Sequence, residues 1–170
     1  MDSTVIPDII TDPASFNADA AFWIHAAQAA IRRYCGWHVT PNVRLTGVIN
    51  SRGGTVLRLP ARHVTAVNTL TSRDGTPLVY AYDPESGLVE LLNGSLPIGI
   101  AAVSYDIAAG YDNCPDVQGV LVNAARRAAA APAGMVTSQS ANGAAASYDV
   151  VTLMKDEYAK LDRYRLECLP

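Results

Sequence analysis

Between Ile100 and Ala131 the spacing of apolar residues changes once, from period two to about 3.6. Ala101, Val103, Tyr105 and Ile107 alternate with Ala102, Ser104 and Asp106, which predicts a strand with one buried face. Beyond Gly110 and Pro115, Val117, Val120, Leu121, Ala124, Ala125 and Ala128 recur at helical spacing and form one stripe. A β region therefore hands over, through a short corner, to an Ala-rich helix whose small side chains let another helix come close.

The rest of the chain divides around that handover. An acidic arm with Pro7 and Pro13 occupies 1–16 and is expected to be extended and flexible. A first helix is predicted over 17–38, with Trp23, Ala27, Ala30, Ile31 and Tyr34 on one stripe and Gly36 as its stop. The segment 39–109 reads as β. Leu57 and Leu59 alternate with Val56 and Arg58, and Leu78, Tyr80 and Tyr82 alternate with Val79, Ala81 and Asp83. Gly53-Gly54, Asp74-Gly75, Asn93-Gly94 and the stretch from Pro84 to Gly87 supply the turns. Val64, Val67 and Leu70 break period two, which predicts a bulge. The central helix is placed at 115–132, a mobile loop of small and polar residues at 133–147, and a last helix with its tail at 150–170. On that helix Val150, Met154, Tyr158, Leu161 and Arg165 share a stripe, with Leu153 and Tyr164 beside it. The expected fold class is α+β: about three helices, with an antiparallel β lobe, a small sandwich or barrel, inserted between the first and second.

Composition narrows the class further. The 170 residues, 49% hydrophobic, suffice for a core without metal or disulfide staples. Cys35, Cys114 and Cys168 are odd in number and far apart, so three reduced thiols are expected. No long apolar run and no basic, then apolar, leader occurs, so a soluble protein without membrane contact is expected. The net charge of −3 is unevenly spread. Residues 21–73 carry seven arginines and no acid, whereas 74–170 carry 12 acids against six bases. The arginines lack interleaved aromatics or a nucleic-acid-binding motif, so self-association through unlike patches ranks above tight nucleic-acid binding.

Candidate chemistry is sparse. The phosphate loop, the nucleophile elbow and the paired-histidine zinc motif do not occur. His25, His38 and His63 are not spaced as metal ligands, and Asp156 and Glu157 fall on a predicted solvated helix face. No catalytic, cofactor-binding or metal-binding residue is assigned, and no enzyme activity is expected.

The run RRYCGWHVTP (Arg32 to Pro41) ending a first helix is followed by a β segment containing LRLPARHVTAVNTLTSRDGTPL and by VSYDIAAGYDNCP opening a second helix. In order and spacing this resembles the head-to-tail adaptor (connector, or head-completion) proteins of long-tailed, siphovirus-type bacteriophages, from about Asn17 to Arg165. The resemblance implies a structural virion protein, assembled in the host bacterial cytoplasm and placed at the head–tail neck. It implies a homo-oligomeric ring, dodecameric by analogy, beneath a portal protein. Such a ring receives the tail or a further head-completion protein and continues a channel through which DNA passes without specific binding. Ring subunits meeting head to tail through different surfaces would use the basic segment, with Arg44, Arg52, Arg58 and Arg62 as inter-subunit candidates. The portal surface is expected at the C-terminal end, on Tyr158, Leu161, Tyr164, Arg165, Leu166 and Leu169, because an apolar stripe continues where a free terminus would turn polar. Two alternatives stay open: another neck or tail-completion protein, and a small ligand-binding β module or enzyme with a pocket built by Trp37, His38 and Tyr111.

Overall fold

The computed structural model describes residues 20–130 and 151–166. The fold is α+β, with the strands lying between the first two helices: α1 (Ala20–Cys35), β1 (Val43–Arg52), β2 (Val56–Arg58), β3 (Val64–Ser72), β4 (Tyr80–Asp83), β5 (Leu88–Leu91), β6 (Ile98–Ala109), α2 (Pro115–Ala130) and α3 (Lys155–Leu161). A 3₁₀ turn, Asp162–Tyr164, follows α3. The described residues fall into two compact units: a β unit of 35–114 with 164–166, and a helical unit of 20–34, 115–130 and 151–163.

In the β unit, two antiparallel three-stranded sheets run in the orders β1-β6-β3 and β2-β5-β4. Strands β3 and β4 are linked at both ends, by the Leu78 N–H to the Leu70 carbonyl at 3.0 Å and the Val64 N–H to the Pro84 carbonyl at 2.7 Å. The two sheets therefore curl on into one another around a common core. Leu57, Leu59, Val89 and Leu91 enter it from one sheet, and Val64, Leu70, Val103, Ile107 and Ala109 from the other. Each fully buried aliphatic side chain contributes roughly 1.5–3 kcal/mol of transfer free energy, so this core stabilises the lobe more than its surface polar contacts do.

The bulge expected between Val64 and Leu70 is present, with register shifts at Val64/Ala66 and Val67/Thr69. A further irregularity lies between Ile49 and Ser51, where β6 carries extra residues and Ala101 adopts a φ of +51°. The Asn50 side-chain carbonyl accepts the Ala101 N–H at 2.8 Å, satisfying a donor that the ladder has lost. This bulge changes the face of β6. Ala102 and Val103 are both buried, so the single alternation expected from Ala101 onwards holds only from Val103.

Close approach constrains three glycines: at Gly87 an added Cβ would lie 2.1 Å from the Ala61 carbonyl oxygen, and the other two border β6. Tyr105 lies directly across the β1–β6 ladder from Gly47, and its ring covers the space a side chain at 47 would fill. At the corner leaving β6, Gly110 has a φ of +115°, and a Cβ there would sit 2.7 Å from His38 Nε2 and closer still to the Pro41 carbonyl oxygen. Around this corner the Gly110 N–H donates to the His63 carbonyl at 3.0 Å, and the Tyr111 N–H donates to the Val39 carbonyl at 2.9 Å. Both acceptors are themselves left-handed, Val39 at φ +67° and His63 at φ +48°. A β-branched residue in that region is strained, and Val39 holds it because its side chain is fully buried.

In the helical unit, α1 buries Ala20, Ile24, Ala27 and Ile31. The expected stripe of Trp23, Ala27, Ala30, Ile31 and Tyr34 is thus rotated by about one position; Trp23, Ala30 and Tyr34 are half-buried. Tyr34 stays at the margin because its hydroxyl donates to Asp162 and its ring packs on Tyr158, with centroids 4.6 Å apart. Helix α2 buries Val117, Val120, Leu121, Ala124 and Ala125, as its period requires, and Ala128 is half-buried. Helix α3 is shorter than expected and begins at Lys155, because the Glu157 carboxylate turns back to accept the Met154 N–H at 2.9 Å and caps the helix there. Its buried side carries Glu157 and Leu161, while Met154 and Tyr158 are exposed. Two ion pairs join it to α2: Arg127 with Glu157, and Arg163 just after α3 with Asp116. The order of these partners along the two segments makes them antiparallel. The arm 1–16, the loop 133–147 and the end of the tail lie outside the described residues.

Replacing Gly110 by alanine should destabilise the chain by about 2 kcal/mol or more, since the added carbon has nowhere to go and the backbone is strained for it. Gly119→Ala, exposed within α2 with nothing near the added carbon, should instead stabilise by about 0.5–1 kcal/mol. Chemical denaturation of the two variants reads both signs, and a neutral Gly110→Ala would show that the corner is not tight.

Candidate functional site

The sequence alternative of a pocket on Trp37, His38 and Tyr111 can be tested directly, because the fold does bring these residues together. Trp37 and His38 meet edge to face at 5.3 Å, and Tyr111 lies 6.3 Å from Trp37. Two further rings that the sequence reading left out complete the cluster. His63 stacks on Tyr111 at 4.0 Å with planes 12° apart, and Tyr164 meets Tyr111 edge to face at 5.5 Å.

Two ring nitrogens of this cluster are taken by the chain itself. The indole N–H of Trp37 donates to the Tyr164 carbonyl. His38 Nε2 lies 3.0 Å from the Pro41 carbonyl and 3.1 Å from that of Ala109; both are acceptors, so this nitrogen carries a hydrogen. Trp37, His38 and Tyr164 are buried. The cluster is a packed aromatic joint rather than a ligand cavity. Among the described residues no group of three His, Cys, Asp or Glu could hold a metal ion.

Glu157 corrects the sequence reading that set it on a solvated face beside Asp156. It is 3% exposed, and both of its oxygens take the Arg127 fork, at 2.7 and 2.6 Å. With the Met154 N–H as a third donor, the buried carboxylate is fully compensated, which is the condition under which such a charge is tolerated. Its role is to hold α3 on α2.

The four inter-subunit candidates divide by what they already do. Arg44, on the outer face of β1, forks onto Asp106, with Nε at 2.8 Å, and Asn68 adds a third hydrogen bond to the same carboxylate at 3.0 Å. Hydrogen bonds from Arg44 and Asn68 hold the Asp106 pKa down at about 2. Arg58 donates to the Ser86 carbonyl at 3.3 Å, while Arg62 donates to the carbonyls of Glu85 at 3.3 Å and Arg165 at 3.0 Å. Arg58 and Arg62 thus serve the β unit internally, and reversing their charge would damage the lobe as well as any interface. Arg52 is exposed and makes no ion pair among the described residues.

The portal candidates divide in the same way. Leu161 and Tyr164 are buried at 0% and 5% exposure, so neither can be offered to a partner without unfolding. Tyr158 and Arg165 are exposed and Leu166 is half-buried, whereas Leu169 lies outside the described residues. The Leu166 N–H donates to the Cys35 carbonyl at 2.7 Å, which, with the Arg62 and Trp37 bonds, makes 164–166 part of the β unit. No described helix is long and apolar enough to cross a membrane.

No protein-family model matches the chain, and no curated protein does. Among solved structures the chain is similar to one from the neck of a native gene transfer agent (GTA) particle computed with C12 symmetry, with a TM-score of 0.63 at 22% identity over 99% of this chain and 95% of that one. A chain from the neck of an empty GTA particle computed with C6 symmetry gives 0.59 at 22% identity and the same coverage. One from the virion of a native GTA particle gives 0.55 at 22% identity over 91% and 81%. The chain has the fold of these particle chains, nearly end to end.

Asp106 makes stability depend on pH in a defined window. Its folded pKa, about 2, lies below the ordinary 3.8, so its contribution is present above about pH 4 and is lost as pH falls through 2. Melting temperature against pH should fall less steeply between 4 and 2 in Asp106→Asn, and parallel curves would remove Asp106 from the account. Tyr164→Ala should cost about 3 kcal/mol by emptying the aromatic joint, as measured by denaturation. An unchanged midpoint would return Tyr164 to the surface.

Proposed function

We propose that the chain is a structural, non-catalytic subunit of the neck of a tailed phage or phage-like particle, forming a ring that joins head to tail and continues the DNA channel. One observation carries the reading: the likeness to the GTA neck chain spans 99% of this chain and 95% of that one, leaving little of either outside the common fold. The C12 symmetry of that neck supports a ring of twelve copies, and the resemblance of the sequence to phage head–tail adaptors points to the same place in a particle.

The physical features fit such a role. A ring subunit needs two unlike surfaces, one for each neighbour. A chain with net charge −3 suits a passage through which DNA slides, because every phosphate neutralised by a fixed cation would add affinity and hold the DNA. The proposed partners are the portal protein on one side and the tail or a further head-completion protein on the other. For the portal surface, Tyr158, Arg165 and Leu166 remain as accessible contributors.

Sedimentation velocity and negative-stain imaging of the purified chain, alone and mixed with the portal of the same particle, test the proposal. Rings of uniform diameter that co-sediment with portal are expected. A chain that stays monomeric alone and with portal would defeat it.

A further inference from the structure

Two strands of the β unit end in an exposed apolar surface that the subunit itself does not use. Ile98 and Ile100, at the start of β6, are 81% and 78% exposed, the highest values among the large apolar side chains described. They flank Gly99, and Arg52 lies directly across the ladder from Ile98. Strand β3 pairs with β6 only from Val103 onwards, so this end of β6 is covered by β1 on one side alone. Two neighbouring β-branched side chains left this open to water mark a contact surface.

A second surface lies on the outward face of the other sheet. Val56 and Glu90 are paired across β2 and β5, and Leu92 follows two residues beyond Glu90 on the same face. Val56 is 44% and Leu92 60% exposed, while the alternating residues Leu57, Val89 and Leu91 are buried. Glu90 is exposed between them and makes no ion pair among the described residues. The two surfaces are complementary: each is aliphatic, and each carries one unused charge, positive on the first and negative on the second.

Resting on the ring reading above, we infer that these are the two halves of the contact between neighbouring subunits. Ile98 and Ile100 of one copy lie on Val56 and Leu92 of the next, with Arg52 meeting Glu90. The occupant of each surface is a second copy of this chain, because the partner that satisfies both the apolar area and the charge of one surface is the other surface. Two different patches meeting in this way make a heterologous contact, the type that closes into a ring when the rotation permits. Flanking aliphatic residues raise the Coulomb attraction of the central ion pair at the cost of dehydrating both charges, so the pair sets register and specificity more than affinity.

The test uses the full chain and follows the concentration dependence of assembly by sedimentation velocity. Ile98→Asp with Ile100→Asp should raise the assembly midpoint about tenfold or more while leaving the melting curve of the subunit unchanged. Arg52→Glu and Glu90→Arg should each weaken assembly, and the two together should restore most of it. Arg52→Cys with Glu90→Cys should form disulfide-linked ladders under oxidation. If the wild type forms rings but the charge swap gives no rescue and the cysteine pair no ladder, the contact lies elsewhere and the inference falls while the ring reading stands. The charge swap decides alone if the isoleucine variant unfolds. A wild type that never assembles overturns both.

Discussion

Much of the β unit turns on the absence of a side chain at position 110. Three pieces of chain meet there: the segment from Trp37 to Pro41, His63 just before β3, and the end of β6. Each gives a carbonyl or a ring to the corner, and the space left between the Pro41 carbonyl and His38 admits only a hydrogen on the α-carbon. The strained angles of Val39 and His63 follow from the same crowding, because their carbonyls must point at the Gly110 and Tyr111 N–H groups. The aromatic joint sits on this corner, with Tyr111 as the ring that touches the most partners. A feature that looks like a binding site in the sequence, an indole beside an imidazole near a tyrosine, is thus part of the scaffold.

What the sequence discloses here is mostly local. The change of period after Ile107, the glycine turns and the broken alternation from Val64 to Leu70 all depend on neighbours within a few residues, and each has its counterpart in the fold. Helix faces were legible to within one position. The stripe on α1 rotates because Tyr34 answers to Asp162, which is 128 residues away and invisible to any periodicity. Glu157 fails for the same reason: beside Asp156 it reads as solvated, and its partner Arg127 lies 30 positions back. The extra residues of β6 near Ala101 are hidden as well, since the Asn50 side chain that compensates for them belongs to another strand.

The candidate interaction residues show a related limit. Arginine in a run without acids reads as free positive charge, yet Arg44 is committed to an acid from the distant part of the sequence, and Arg58 and Arg62 are committed to backbone carbonyls. Backbone acceptors carry no sequence signature at all. Composition by segment therefore overstates the charge available to a partner. Ile98 and Ile100 fall within the segment 39–109 that reads as β, and alternation there marks which positions could be buried and says nothing of where the adjoining strand stops.

Helix α3 has seven residues, well short of the roughly 12–15 that an isolated helix needs to persist in water. Its helicity is therefore borrowed from the Arg127 fork, the Arg163–Asp116 pair and the burial of Leu161, and it lasts only while these hold. Such a segment opens at a free energy set by a few contacts rather than by the whole domain. Within the helical unit it is the natural first place for local unfolding, and amide protons there exchange by a shorter route than those of α2. A subunit built in this way can detach one short element, and later reseat it, without melting the helix on which that element rests.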